Sequence, residues 1–542
     1  MSILPIASSI ALVTLLPLLM LAWTAAQGAG PMWGHLSQHV LPEATWNTAL
    51  LLGGVSLVAG SIGTVCAWLV TMRTFPFRRL LSWALLLPMA VPTYVVAYAY
   101  VDLLHPLGPM QAGLRALLPA GALLDATLPD PRSLPGCALL MGLVLYPYVY
   151  LNLCAAFRMQ SGELLAAGRS FGGSEAQLLR YVTLPLARPA LAVGLSLALL
   201  EALNDIGAVE YLGVQTLTLA IATTWVTRSS AAGAAQLALA LLLLAALLMW
   251  LERRSRGAQE ALAAEELGQP EQLLRLPPFW AGMATFACVL PVVFGFLLPA
   301  GYLADAAATR VREAGLPAGL WQYLGNSLAY AGSATVLLLL FGLLLANAAR
   351  REPRHGSAVL GIAGLGYGIP GTILGFGLLL LLGQFDNALD GLMRQWLGVG
   401  TGLLLSASGV ALMLAYLSRF LAIPANGLEA GYRSIPRALD DAATVGGASG
   451  FEIMQHVHMP LLAPALRAVT LLCFVDAMKE LPATLLLRPL NVETLATALH
   501  GEAARGSYED GAVFALVIVA VGVLPMVLLG RSEAVGRVSA AR

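Results

Sequence analysis

The feature that most constrains this chain is the length and spacing of its apolar runs. Crossing a bilayer as a helix takes ~20 apolar residues. Runs of that length fall at about 3–26, 48–72, 80–104, 134–157, 187–208 and 234–251, and resume at about 279–302, 324–349, 357–383, 400–422, 464–484 and 511–530. In hydrocarbon each backbone N–H and C=O must be bonded within the protein, so runs of this kind are helices. An all-α polytopic membrane protein with about 12 spans follows, six on each side of the charged stretch 252–278. The expected division is a first half 1–251, a cytoplasmic linker 252–278 that tethers as a solvated helix, and a second half 279–542. Charged residues make up 11% of the chain and hydrophobic ones 58%, too little polar surface for a soluble protein of this size. The formal net charge is zero, which gives no bulk attraction to nucleic acid. The first run lacks a basic leading region and reads as a retained span rather than a cleaved signal.

One polar segment occurs twice between these runs. SIPRALDDAATVGGASGFEIMQHVHMP (434–460) reads as two short helices around a glycine elbow. Ser434 is placed to cap the first helix, Pro436 to sit in its opening turn, and Gly446-Gly447 to make the elbow. Ser449 and Glu452 have the spacing of a capping box, and Pro460 would close the second helix. In SGELLAAGRSFGGSEAQLLRYVTLP (161–185), Gly172, Ser174, Gln177 and Pro185 each precede Gly447, Ser449, Glu452 and Pro460 by 275 positions. The chain is an internal duplication. With an even number of spans per half, the halves share one topology and are related by an axis along the membrane normal. Asn47-Thr48 echoes Asn326-Ser327, and Pro92 echoes Pro370, each proline expected to kink its span. The run GIAGLGYGIPGTILGFG (361–377) carries seven glycines, suited to close helix packing or to a deformable segment beside a path.

The repeated segment resembles the EAA loop of ABC-importer permeases, which docks as a coupling helix on an ATPase subunit. The pattern runs Ala166-Ala167-Gly168, Gly172 and Pro185 in the first copy, and Asp441-Ala442-Ala443, Gly447 and Pro460 in the second. The first copy lacks the acidic residue. The resemblance puts both loops in the cytoplasm, which places most of the 30 Lys and Arg on that side, Arg419 among them. That agrees with the positive-inside rule and puts both termini in the cytoplasm.

Chemistry-bearing residues are few. A phosphate-cradling loop needs GxxxxGK[ST], and the one lysine in 542 residues is Lys479, between Met478 and Glu480. The chain therefore cannot bind ATP in that way, and any ATPase is a separate polypeptide. HExxH, CxxC and GxSxG are absent as well. The five cysteines stand singly in apolar runs and read as small buried hydrophobes, and His456 and His458 as helix-surface residues. The 275-residue offset continues past each loop, setting Glu201 opposite Asp476 and Asp205 opposite Glu480. Each half's pair is spaced i, i+4 and would share a helix face. Charges at this depth usually face the bundle interior or a watery path, so the four are candidates for a path lining, with Glu210 near the outer mouth. Local pairing, as of Lys479 with Asp476, is the alternative. No fixed metal site is expected.

LNDIGAVEYLGVQT (203–216) and KELPATLLLRP (479–489) with the following ETLAT resemble the fused two-domain permeases of ferric-iron ABC importers, over nearly the whole chain. The resemblance implies the type I permease fold in a bacterial inner membrane and a non-enzymatic transport subunit. It implies two ABC ATPase subunits, which bind the ATP and magnesium, and a periplasmic substrate-binding protein. Ferric iron is the implied cargo, with thiamine or a phosphonate as alternatives. An ion-gradient-driven secondary transporter would also have two parallel halves, but has no need of two docking loops.

Overall fold

The computed structural model describes residues 4–117, 128–160, 162–265 and 273–540. Among these, nine helices are long and apolar enough to cross a membrane, or eleven if each of two bent pairs is one span. The expected run at 511–530 falls in the Tyr508–Ala540 helix, whose side chains beyond 524 lie outside the described residues. Among the described residues the helices are interrupted by one two-residue parallel ladder, Arg73 with Leu274 and Thr74 with Arg275. It ties the end of the Leu41–Met72 helix to the end of the linker. The Ala231–Glu265 helix continues into the linker, and residues 266–272 lie outside the description.

The third run of each half is broken rather than kinked. In the first half a 3-10 turn, Leu87–Ala90, leads into the Thr93–Leu103 helix through a bend of 89°. In the second, the turn Gly364–Gly368 leads into the Gly371–Leu397 helix. Pro92 and Pro370 are the residues just before each new helix, and the residues before them, Val91 and Ile369, are extended, both with ψ 125°. A proline has no N–H to continue a helix and bars the helical conformation from its predecessor. The expected kink is therefore a full break. The glycines around it permit close approach. A Cβ on Gly366 would strike the Ser418 carbonyl, one on Gly371 the Arg419 guanidinium, and one on Gly377 the Pro17 carbonyl.

The duplication survives as matching bonds. Asn47 Nδ2 donates to the Gln215 carbonyl at 3.1 Å, and Asn326 Nδ2 to the Glu493 carbonyl at 2.9 Å. The Leu217 N–H donates to Thr48 Oγ1 at 3.0 Å, and the Leu495 N–H to Ser327 Oγ at 2.8 Å. Each half also lends its first span to the other. The Leu16–Ala26 helix packs on Gly371–Leu397, while Pro278–Val292 packs on Leu41–Met72.

Candidate functional site

The two duplicated loops have one geometry. The first is the Gly162–Ser170 helix, Gly172 at φ +80°, the short Glu175–Leu178 helix, a π turn at Leu179–Thr183, and the long Leu184–Asn204 helix. The second is Arg437–Val445, Gly447 at φ +83°, Gly450–Ile453, a π turn at Met454–His458, and Met459–Met478. Positive φ is open to glycine at little cost and to few other residues. Both capping boxes form. Gln177 Oε1 accepts the Ser174 N–H at 2.8 Å, and Glu452 Oε2 the Ser449 N–H at 2.6 Å. Ala166, Ala167 and Gly168 lie on the first short helix, and Asp441, Ala442 and Ala443 on its counterpart.

Three local expectations are corrected. Ser434 does not cap this helix but ends the preceding one, its hydroxyl donating to the Gly431 carbonyl, and Pro436 takes the N-capping position. Pro460, like Pro185, opens the next long helix instead of closing one, because the π turn before it absorbs the missing N–H. His458 is buried, with Nε2 at 2.8 Å from Asp440 and Nδ1 at 3.5 Å from the Tyr432 hydroxyl, while His456 is exposed. Asp440, which the sequence did not single out, is the anchor of this loop. It also accepts from Arg350 Nε at 2.8 Å, and Arg350 donates to the Tyr432 and Ile435 carbonyls. Burial alone would raise the Asp440 carboxyl, but the hydrogen bonds from Arg350 and His458 outweigh it and hold it below the usual carboxylate range. The outer faces of the loops are exposed and partly apolar: Phe171 and Val445 are each 90% accessible, and no residue of Arg437–Val445 is buried.

Beyond each loop, the long helix stops where the carboxylates stand. Asp205 interrupts the first copy between Leu184–Asn204 and Ile206–Tyr211, and its Oδ1 accepts the Ala208 N–H at 2.8 Å. Glu480 interrupts the second, and its Oε1 accepts the Ala483 N–H at 3.1 Å. The expected shared helical faces are thus replaced by broken helices whose new N-termini each hold a carboxylate, where the helix dipole favours negative charge. The breaks meet at one cavity of about 90 Å³, lined by Glu201, Asp205, Asp476 and Glu480 together with Asn204, Lys479, Arg419 and Tyr94, Tyr148 and Tyr367. Asn204 Oδ1 accepts the Gly371 N–H at 2.6 Å, a direct bond between the halves.

The carboxylates are not equivalent. Glu480 is locked by Arg419 at 2.7 Å and by the Thr484 N–H and hydroxyl, with side-chain exposures of 1% and 9% for the ion pair. Arg419 is therefore an interior cation, not the cytoplasmic one that its position suggested. Asp476 pairs with Lys479 at 2.8 Å. Glu201 accepts from the Tyr367 hydroxyl at 3.2 Å, and no ion pair joins Glu201 or Asp205 to a cation among the described residues. Four carboxylates against two cations leave the lining acidic, with the excess on the first half. No three His, Cys, Asp or Glu side chains cluster as a metal cage among the described residues. Two further cavities flank this one. One of about 250 Å³ shares Tyr94 and includes Glu210, which meets His500 of the other half at 3.1 Å. The other, about 200 Å³, shares Tyr148, Tyr367, Asp476 and Lys479 and adds Leu472 and Val475, so it lies toward the loops.

Residues 59–256 match the family described as the inner membrane component of binding-protein-dependent transport systems. The chain is 23% identical over 498 residues to the Fe(3+)-transport system permease protein FbpB 2 of Haemophilus influenzae, covering 90% of each chain. It is also 23% identical to the ferric transport system permease protein FbpB of Actinobacillus pleuropneumoniae, over 90% of this chain and 70% of that one. A shorter match, 32% identical over 34% of this chain and 60% of the relative, is to the sulfate transport system permease protein CysW of Escherichia coli.

Proposed function

We propose that this chain, a fused two-domain permease of the ABC-importer type, carries ferric iron through the inner membrane from a periplasmic binding protein to the cytoplasm. Two ATPase subunits would dock on the loops 161–185 and 434–460 and supply the energy. The observation that carries the cargo assignment is the acidic excess of the central cavity. Carboxylate and phenol oxygens suit a hard cation, and the two cations present are already spent on Asp476 and Glu480. A sulfate or phosphonate would meet unpaired Glu201 and Asp205 instead. The volume, about 90 Å³, admits a few waters or a small ion and is small for a molecule the size of thiamine. Whole-chain likeness to ferric permeases supports the same reading. The loops support the docking role through their paired form and their exposed Phe171, Val445 and Phe451.

The test is reconstitution of the permease with its ATPase and binding protein in liposomes. ATP-dependent uptake of radiolabelled ferric ion is expected, with no uptake of sulfate. Sulfate or phosphonate transport without iron transport would overturn the cargo assignment. Sidedness has its own check: a cysteine replacing Val445 should label from the cytoplasmic side only, and one replacing Leu490, 97% exposed, from the opposite side.

A further inference from the structure

A fixed cation stands where a cation is to pass. Lys479, the one lysine of the chain, lines both the central cavity and the one toward the loops. Arg419, the other cation there, is held on a nearly inaccessible carboxylate. Lys479 differs. Among the described residues its one ion-pair partner is Asp476, and the two side chains are 26% and 21% exposed. Its four-carbon stem is flexible and its ammonium can turn among acceptors. Among the described residues, Glu201 and Asp205 face the same cavity without an ion-pair partner, and the hydroxyl of Tyr94, a residue only 8% exposed, has no hydrogen-bond partner. In the duplicated register Lys479 stands where the first half has Asn204, which is committed to the Gly371 N–H. The ammonium is thus an addition to one half that the pseudo-symmetry does not require.

We infer that Lys479 is a resident counter-cation: its ammonium occupies Asp476 in the empty permease, is displaced by the entering ion, and returns to drive that ion on toward the loops. The inference rests on reading this cavity as the path of a cation. Four carboxylates against a single arginine would hold a trivalent ion tightly, and an ion that must leave again needs a weak site. A tethered ammonium competes at high effective concentration without leaving the protein.

The experiment uses the full permease–ATPase complex, exposed to radiolabelled ferric citrate and then desalted. The Lys479→Met complex should retain on the order of tenfold more iron than wild type and import it more slowly. Lys479→Arg should keep near-wild-type behaviour, and Lys479→Met combined with Asp476→Asn, which restores the net charge, should lose the retained iron. Should Lys479→Met fail to assemble, Asp476→Asn decides. The freed ammonium then turns to Glu201, and uptake should fall severalfold with assembly intact and no iron retained; unchanged uptake would refute the inference. Wild-type uptake with unaltered retention in Lys479→Met sinks this inference alone. A wild-type complex that moves no ferric ion sinks the cargo assignment, and this inference with it.

Discussion

Of the four carboxylates that the duplication brings together, Glu480 is the one the structure commits to holding the protein together. Glu480→Gln isolates that role. The Ala483 and Thr484 N–H groups bond to different oxygens of Glu480, and the amide keeps one of the two, so the helix cap is weakened but not removed. What disappears is the charge facing Arg419. With exposures of 9% for Arg419 and 1% for Glu480, breaking this buried pair from one side costs about 3–5 kcal/mol because Arg419 loses its hydrogen-bonded counter-charge. The destabilisation is therefore placed at about 3 kcal/mol, the low end, because the amide still accepts hydrogen bonds. The assay is thermal unfolding of the purified protein in detergent, run as a cycle with Arg419→Met and the double variant. The double variant should recover part of the loss, with a coupling of about 1–3 kcal/mol. A Glu480→Gln protein as stable as wild type, or a double variant no better than the single, would refute the assignment of a structural role.

The other predictions follow the same geometry. Glu201→Gln with Asp205→Asn should leave assembly and basal ATPase intact, since Asn still caps the Ala208 N–H, while cutting ferric uptake on the order of tenfold or more; surviving uptake would exclude an acidic path. A Cβ on Gly447 meets no neighbour within 4 Å, so the main penalty of Gly447→Val, about 1–2 kcal/mol, is the left-handed backbone at φ +83°. ATP hydrolysis should then separate from substrate delivery, and normally coupled transport would count against the loop's role. Asp440 titrates below the usual carboxylate range, so its stabilising effect is complete above its unfolded value of about 3.9 and fades as pH falls through the lower folded value. The stability difference between wild type and Asp440→Asn should accordingly be constant from pH 7 to about 5 and vanish only below about pH 4. A difference that is lost near neutrality would refute this assignment.

Much of this protein is legible in its sequence. Helical spans follow from run length because hydrocarbon leaves the backbone no other partner. The loops' form follows from Gly172, Gly447 and the two capping boxes, which are local bonds spanning three residues. The 275-residue offset paired Glu201 with Asp476 and Asp205 with Glu480, and their meeting at one cavity is the spatial form of that repeat. Local sequence misled wherever a residue's partner lay far along the chain. Arg419 looked like a loop cation because its partner is 61 residues away, and His458 looked exposed because Asp440 and Tyr432 bury it from the far side of the elbow.

Composition and periodicity by themselves determined that the chain is helical and membrane-spanning, that it is duplicated, and that it lacks an ATP cradle, since each of these depends on residue type and spacing alone. Tertiary structure alone decided which acids are free. Glu480 and Asp205 are counterparts in the repeat, but a guanidinium from the Gly409–Phe420 helix reaches Glu480, and among the described residues no cation is paired with Asp205. Whether a carboxylate holds helices together or stays open to an ion depends on which charge the fold brings beside it, and that is a property of contacts between distant segments.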